Sequence, residues 1–279
     1  MNYGVITIAT KHADYGRYAY NCAVSLRAIS PLIPITLIAD SVGISHLDDY
    51  QRTIFDKIVT PELCDYHNGD KCTPLTLKYH LYKYSPYDAT IYVDADTIFT
   101  PMKSVEELFR SLKGTQFTIA NRGEQDPSKG VSEWVESGVL DVPYWYDLSS
   151  EFIYFEKKGV AQDVFTHALA YYKENSVPTK MFAGDKPDEP FLMMGMIHCG
   201  VRPHKAPYKP SYWQPAERKF MNAMQVKQNY YLMSMGGKLI SRQMRDIYTD
   251  ICKNVTYKTG LKTFTVSHKM NAMPERKHI

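Results

Sequence analysis

Residues Ile91-Tyr92-Val93-Asp94-Ala95-Asp96-Thr97-Ile98-Phe99 join a short apolar run to two aspartates one residue apart. Ile91 and Val93 are β-branched and Tyr92 is aromatic, so residues 90–93 read as a buried strand. In extended backbone, alternate side chains share a face, which would point Asp94 and Asp96 the same way. Two carboxylates about 4 Å apart repel by roughly 4 kcal/mol at an effective dielectric of 20. A cation between them, or a proton on one of them, relieves that repulsion. Oxygen-only ligands at a strand end suit a hard divalent ion that keeps open positions for phosphate oxygens. Two solvated aspartates in a turn are the plainer reading of such a pair; the apolar run in front and the elements around it favour the metal.

Those elements alternate. Residues 3–10 read as a first strand, followed by a helix over 14–29 with Tyr15, Tyr18, Ala19, Cys22, Ala23, Leu26 and Ile29 at helical spacing, stopped at Ser30-Pro31. Ile35–Ala39 is a strand closed by Asp40, Leu47–Phe55 a short helix, Lys57–Val59 a strand and Leu75–Tyr84 a helix stopped at Ser85-Pro86. Strand–helix alternation means βαβ units and a mostly parallel sheet. Ligands of such sheets bind beyond the C-terminal strand ends, where Thr10, Asp40 and Asp94 all fall. Further on, the pattern predicts a surface helix over Val105–Leu112, a strand over Phe117–Ala120 and an irregular stretch over 121–148 that holds Tyr144-Trp145-Tyr146. A strand over Glu151–Glu156, a helix over Ala161–Asn175, a polar turn Gly184–Pro190 opening onto a helix Phe191–Met196, a loop over Val201–Pro215 and a last strand Lys262–Ser267 ending at His268 complete the reading.

At 279 residues the chain suffices for one large or two small domains, and 44% apolar with 23% charged residues is ordinary for a globular protein. No stretch approaches the roughly 18 apolar residues that suggest a membrane-spanning helix. Met1-Asn2-Tyr3-Gly4 does not open a basic-then-apolar leader, and five irregularly spaced cysteines fit reduced thiols, which together give a cytoplasmic expectation. Cys64, His67 and Cys72 match no standard zinc spacing. The net charge of +3 conceals an imbalance. Residues 1–200 carry 18 Lys and Arg against 26 Asp and Glu, whereas residues 201–279 carry 15 against 4. Such asymmetry suggests a negatively charged partner or substrate for the C-terminal part. The expected division is a core over 1–200 and a basic, aromatic region over 201–279 that completes the site and contacts the acceptor.

Thr7-Ile8-Ala9-Thr10, Tyr15 and Ser25-Leu26-Arg27 resemble the opening of the glycogenin-like (family 8) glycosyltransferases. Lys78, the run Ile91 to Thr97, and Val105-Glu106-Glu107-Leu108-Phe109 resemble that family's lysine, aspartate pair and following helix, and Asp188-Glu189-Pro190-Phe191-Leu192 resembles its later acidic motif. The resemblance covers roughly residues 3–112 and 185–195. It implies a GT-A fold, that is, a Rossmann-like α/β domain with a mixed, mostly parallel sheet flanked by helices, here with a basic C-terminal extension. It also implies a nucleotide-diphosphate sugar donor, a UDP-sugar, bound with Mn²⁺ or Mg²⁺. Carried over, Ala9, Thr10 and Tyr15 would line the nucleoside site, with Asp40 near the base and Lys78 at the diphosphate or sugar. Asp96 would ligate the metal, Asp94 the metal or the ribose, and His268 would be the third ligand, with His198 and His204 as other sources of an imidazole. Asp188 and Glu189 would flank the anomeric carbon, or only complement a helix N-terminus. Two departures stand out: Ser149-Ser150-Glu151 replaces a common Asn-Ser-Gly, so that Glu151 faces the sugar or a strand entrance, and Glu189 stands where glutamine is common.

Glycosyl transfer builds positive charge on the sugar and negative charge on the departing diphosphate, and a divalent ion with a lysine stabilises the latter as it develops. The family resemblance favours retention of configuration. For the acceptor, Lys205, Lys209, Arg218, Lys219, Lys227, Arg242, Arg245 and Lys253 interleave with Tyr208, Tyr212, Trp213, Tyr230 and Tyr231, a mixture suited to phosphates and an extruded base. The expectation is therefore a hydroxymethylated base in double-stranded DNA, modified by a phage-type enzyme in the host cytoplasm, with saccharide, lipid-linked or protein acceptors as alternatives. A nucleotidyltransferase would also use paired aspartates, but commonly adds a glycine-rich phosphate loop that this chain lacks. An inactive nucleotide-sugar-binding module is disfavoured by two intact aspartates.

Overall fold

The computed structural model describes residues 2–68, 71–126, 134–135, 140–182, 184–204, 211–212, 221–235 and 242–265, with backbone only at 211–212 and 242–243. Its first half follows the βαβ pattern: β1 (Tyr3–Ala9), α1 (Asp14–Ile29), β2 (Ile35–Ala39), α2 (Asp49–Arg52) and β3 (Lys57–Val59). A short antiparallel pair, β4 (His67–Asn68) with β5 (Lys71–Cys72), leads to a 3₁₀ helix, Pro74–His80, and α3 (Leu81–Tyr84). Then come β6 (Ala89–Val93), β7 (Thr97–Phe99), α4 (Val105–Leu112), β8 (Phe117–Gln125), β9 (Trp145–Glu156), α5 (Ala161–Glu174) and α6 (Glu189–His198). The remainder holds β10 (Ser211–Tyr212), α7 (Ala223–Asn229), β11 (Leu232–Ser234) and α8 (Arg242–Thr259).

The main sheet has the order β3-β2-β1-β6-β9-β8, parallel through β6 and antiparallel at β9 and β8. Strand periodicity divides the core into two layers. Val5, Leu37, Ile91 and Val93 join α1, α4 and α8 on one face, while Ile6, Ile38 and Tyr92 join α5 and α6 on the other. α4 shows the helical counterpart: Val105, Leu108, Phe109 and Leu112 form its buried stripe, and the Ser104 hydroxyl caps it by accepting from the Glu107 N–H.

Several expectations need correction. The helix expected over Leu47–Phe55 is only the four residues of α2, started by an Asp48/Gln51 capping box and followed by turns. Leu75–Tyr84 is a 3₁₀ helix passing into one α-helical turn. Tyr144-Trp145-Tyr146 does not lie wholly in an irregular loop: β9 begins at Trp145, six residues before the expected start, and β8 runs on to Gln125 to pair with it. The described part of the last strand, residues 262–265, has no strand pairing. Those residues instead return to α1, where Asn21 accepts from the Phe264 N–H and donates to the Phe264 carbonyl.

The C-terminal residues are bound into the first layer. β11 pairs antiparallel with β7, the Met235 N–H donates to the Asp96 carbonyl at 3.1 Å, and Tyr231, Met233, Met244, Tyr248 and Val255 lie in the same core as Val5 and Ile91. Close backbone approach fixes the end of β1. A Cβ on Gly43 would lie 1.8 Å from the Ala9 carbonyl oxygen, and one on Gly16 would lie 2.1 Å from the Gly43 oxygen. The loops after β1 and β2 and the first turn of α1 thus stack as bare backbone. Gly43→Ala should lower stability by about 1–3 kcal/mol, the usual range for overpacking, in a urea titration; an unchanged midpoint would mean that the stack yields easily.

Candidate active site

Thr10, Asp40 and Asp94 follow the C-terminal ends of the parallel strands β1, β2 and β6, which are neighbours in the sheet. Asp40 braces the loops there: one carboxylate oxygen accepts from the Gly43 N–H at 2.6 Å and the other from the Lys11 N–H at 3.0 Å. Lys11 has a left-handed backbone, φ 73°, so the chain turns sharply as it leaves β1. Ala9 and Thr10 are buried at this edge, and Tyr15 lies in the first turn of α1. Burial first, then Asp96 and Asp94, push the Tyr15 hydroxyl up to about 12, which brings this phenol and both aspartates into one neighbourhood.

The aspartate pair is not on an extended strand. β6 ends at Val93 and β7 starts at Thr97, and Asp94-Ala95-Asp96 forms a turn in which the Thr97 N–H donates to the Asp94 carbonyl at 3.0 Å. Strand alternation therefore does not set the directions of these carboxylates. The turn is held instead by β9, whose Glu151 carbonyl accepts from the Asp94 N–H at 3.1 Å, and by the Met235 N–H on the Asp96 carbonyl.

Beside the turn lies a buried cation. The Lys78 ammonium is 3.0 Å from Asp94 Oδ1 and 3.2 Å from Asp188 Oδ2, and donates to Ser150 Oγ at 2.9 Å and the Ser150 carbonyl at 3.3 Å. Burial works against its charge, but Asp188 and Asp94 outweigh it and hold the ammonium above the ordinary lysine range. The Tyr92 hydroxyl also donates to Asp94 Oδ1. Ser150 reaches this point through a β-bulge: Ile119 pairs with Ile153 but Ala120 with Ser149, so β9 carries three extra residues, 150–152, opposite β8. Glu151 is thus in a mid-strand bulge and not at a strand entrance.

Asp188 and Glu189 turn different ways. Asp188 is the N-cap residue of α6, yet its side chain does not cap the helix and faces Lys78. Glu189 Oε1 accepts from the Ser150 N–H at 3.1 Å. Burial first, then the charge of Asp188, push the Glu189 carboxyl up to about 8. Arg122 on β8 grips Asp147 with two hydrogen bonds, of 2.8 and 3.0 Å, and its guanidinium also feels Glu189 and Glu151.

Sequence reasoning missed Tyr92, Arg122, Asp147 and Ser150 as parts of the site. Tyr92 carried a signal, since a tyrosine within a buried strand needs a partner for its hydroxyl. His268 lies outside the described residues. His198 stacks on His167 at the far end of α6, about 13 Å along the helix from Glu189 at 1.5 Å per residue. The His204 N–H donates to Thr118 on β8. Among the described residues the one trio of ligand-type side chains that converges, Glu62, Cys64 and Asp65, is bridged by Lys83 at 2.9 and 2.8 Å and so already holds a cation. Of the side chains that suggested nucleic acid, Tyr230 and Tyr231 are core residues, Lys227 pairs with Asp250, and Lys253 is exposed on α8. Lys205, Lys209, Tyr208, Trp213, Arg218 and Lys219 are outside the described residues, as are the side chains of Tyr212 and Arg242.

No protein-family model matches the chain and no curated protein matches it. Solved structures do. The bifunctional glycosyltransferase WbbM in its apo form superposes with a TM-score of 0.58 at 12% identity, over 91% of this chain and 50% of that one. The galactosyltransferase LgtC, in complex with donor and acceptor sugar analogues, superposes with a TM-score of 0.57 at 13% identity, over 90% of this chain and 96% of that one. The fold is the GT-A glycosyltransferase fold. A structure of an LgtC active-site mutant, in which glutamate replaces glutamine, superposes at 0.55 and 13% identity, over 90% of this chain and 95% of that one. This chain spans only half the length of WbbM. Within the GT-A fold of this chain, the Asp94–Asp96 turn, Lys78, Asp188 and Glu189 gather at one edge of the sheet.

Two outcomes follow. Lys78→Met leaves Asp188 buried without its cation and should lower stability by about 3–5 kcal/mol in chemical denaturation. The Glu189 acid is raised from 4.5 in the unfolded chain to about 8 in the folded one. The unfolded chain therefore loses this proton first, and the acid's contribution makes stability fall as pH rises from 4.5 to about 8, with no slope from it outside that window. Glu189→Gln should remove this component of the fall; denaturation across that pH range checks it.

Proposed function

We propose that the chain is a metal-dependent glycosyltransferase that moves a sugar from a nucleotide-diphosphate sugar, a UDP-sugar by resemblance, to a hydroxyl acceptor. The observation that carries this is the convergence of the Asp94–Asp96 turn, the Lys78 ammonium and the Asp188-Glu189 pair at the strand ends of a GT-A sheet. Thr10, Tyr15 and Asp40 lie around the same edge and suit the nucleoside, with Ala9 as its floor.

The aspartates fit a hard divalent ion. Both offer oxygen, and such ions are commonly held by one or two carboxylates together with substrate phosphates. Asp96 and Asp94 would hold Mn²⁺ or Mg²⁺, with His268 proposed as the third ligand. When bound, the ion neutralises charge developing on the diphosphate. The protein's own groups do the rest. Lys78 fixes Asp94 and Asp188 and adds positive charge beside the diphosphate. Asp188 places a carboxylate where positive charge grows on the sugar. In the transfer, the acceptor oxygen forms a bond to the anomeric carbon and the bond from that carbon to the phosphate oxygen breaks. The electron pair leaves with the nucleoside diphosphate, which also takes the acceptor's proton. We assign retention of configuration, with Glu189 beside the anomeric carbon, as comparable acids are in the related retaining enzymes that the chain resembles. Saccharides and a hydroxymethylated base in DNA both offer a suitable hydroxyl.

A UDP-sugar at about 100 times its dissociation constant, with Mn²⁺, should stabilise the chain by about 2.7 kcal/mol. EDTA or Asp96→Asn should abolish that thermal shift. A full shift in the Asp96→Asn variant would remove the metal role.

A further inference from the structure

Two groups meet the same oxygen of Asp94. Its Oδ1 lies 3.0 Å from the Lys78 ammonium and also accepts from the Tyr92 hydroxyl, while 30% of the side chain stays exposed. We infer that Tyr92 is a positioning residue of the proposed metal site: with Lys78 it takes up Oδ1, so that Oδ2 is the oxygen offered to the ion. The inference rests on the glycosyltransferase reading and adds to it the group that aims one of the metal ligands.

An ionised carboxylate accepts at about four lone-pair sites, two on each oxygen. Two donors on Oδ1 therefore fill it and leave Oδ2 for a hard cation. The backbone cannot enforce this choice. The bond from the Asp94 N–H to Glu151 and that from the Thr97 N–H to the Asp94 carbonyl hold the turn, but the torsion that rotates an aspartate carboxylate is broad. Lysine alone cannot enforce it either. Its three donors are shared among Asp94, Asp188 and Ser150, so none is left for a second bond to Asp94.

Tyr92 supplies that second bond from a fixed place. It lies on β6, in register with Ile6 of β1 and Ile153 of β9, and is only 2% exposed, so close packing holds its ring. The Lys78 ammonium sits 5.5 Å from the centre of the same ring, within cation–π range. Tyr92 thus meets the ammonium with its ring and the carboxylate with its hydroxyl. A phenol is an uncharged donor at neutral pH, so it orients Asp94 without competing with the ion for its charge. If the hydroxyl merely satisfied its own burial, removing it would cost stability and leave metal affinity unchanged.

The test compares Tyr92→Phe, Tyr154→Phe, Asp94→Asn and the Tyr92→Phe/Asp94→Asn double variant in the full chain. Tyr154 is the control: it is buried and donates at 2.8 Å to Glu156, which pairs with Ala89 at the opposite end of β6. Dissociation constants for Mn²⁺ are read from the electron paramagnetic resonance of free Mn²⁺ with UDP present, after subtracting the Mn²⁺–UDP complex of free solution. That readout needs no turnover. Hydrolysis of UDP-glucose and UDP-galactose gives donor KM and the Mn²⁺ activation constant. Loss of an outer-shell partner commonly weakens a metal site 10–100-fold, so Tyr92→Phe should weaken Mn²⁺ about tenfold, Lys78 still holding Oδ1. The activation constant should rise in step, with donor KM at saturating Mn²⁺ unchanged and kcat recovered there. Tyr154→Phe should lower the denaturation midpoint without moving Mn²⁺ affinity. In the Asp94→Asn background the Tyr92→Phe effect should vanish, because it acts through Asp94. Unchanged Mn²⁺ affinity in Tyr92→Phe, equal weakening in Tyr154→Phe, or a full effect in the Asp94→Asn background would each overturn the inference. Should Tyr92→Phe fail to fold, a wild-type crystal with Mn²⁺ and UDP decides: manganese on Asp94 Oδ2 supports the inference, and manganese on Oδ1 or off Asp94 overturns it. Absence of Mn²⁺ binding in the wild type also overturns it. Mn²⁺ binding without turnover of any sugar nucleotide would instead defeat the glycosyltransferase reading, while the Tyr92 comparison would still decide the positioning role.

Discussion

The buried Lys78 ammonium is the interaction on which the rest of the site depends. It contacts Asp94 at the end of β6, Asp188 at the start of α6 and Ser150 in the bulge of β9, three segments far apart in sequence. An unpaired ammonium at this depth would be strongly unfavourable, and a buried carboxylate alone would be equally so. Each group is therefore tolerated only while the others are in place. The turn that carries the proposed metal ligands and the Asp188-Glu189 pair are thereby locked to one another, although neither touches the other through backbone pairing.

The β9 bulge serves the same end. Without residues 150–152 as an insertion, Ser150 would pair in register with β8 and its N–H and carbonyl would not both be free to meet Glu189 and Lys78. The bulge and the buried lysine together let one edge of a regular sheet bring an ammonium, a carboxylate and an acid with a raised pKa close together. The Glu189 carboxyl is pushed up because burial and Asp188 act in the same direction on it, whereas the Lys78 ammonium is held up because its neighbours act against burial.

Much of this was legible in the sequence where local pattern decides structure. β1, α1, β2 and β6 follow from apolar periodicity with clear stops, and Asp94, Asp96, Lys78 and Asp188-Glu189 stand out by residue type and position. The failures share one cause. The direction of the aspartates was read from strand alternation, but the chain turns at Asp94 because β9 and residue 235 claim its backbone. β9 begins at Trp145 because β8 pairs with it across a long connection, which single-segment patterning cannot show. Tyr230 and Tyr231 looked like a stacking surface, yet pairing of β11 with β7 sends them into the core. Arg122 and Asp147 gave no signal singly, since only the β8–β9 pairing brings them together.

A crystal soaked with Mn²⁺ and a UDP-sugar, and recorded at a wavelength where manganese scatters anomalously, tests the central claim most directly. The account predicts a manganese peak about 2 Å from an Asp96 carboxylate oxygen, bridged to the diphosphate, with Lys78 still between Asp94 and Asp188. Manganese and diphosphate bound elsewhere, with the Asp94–Asp96 turn facing only water, would contradict it.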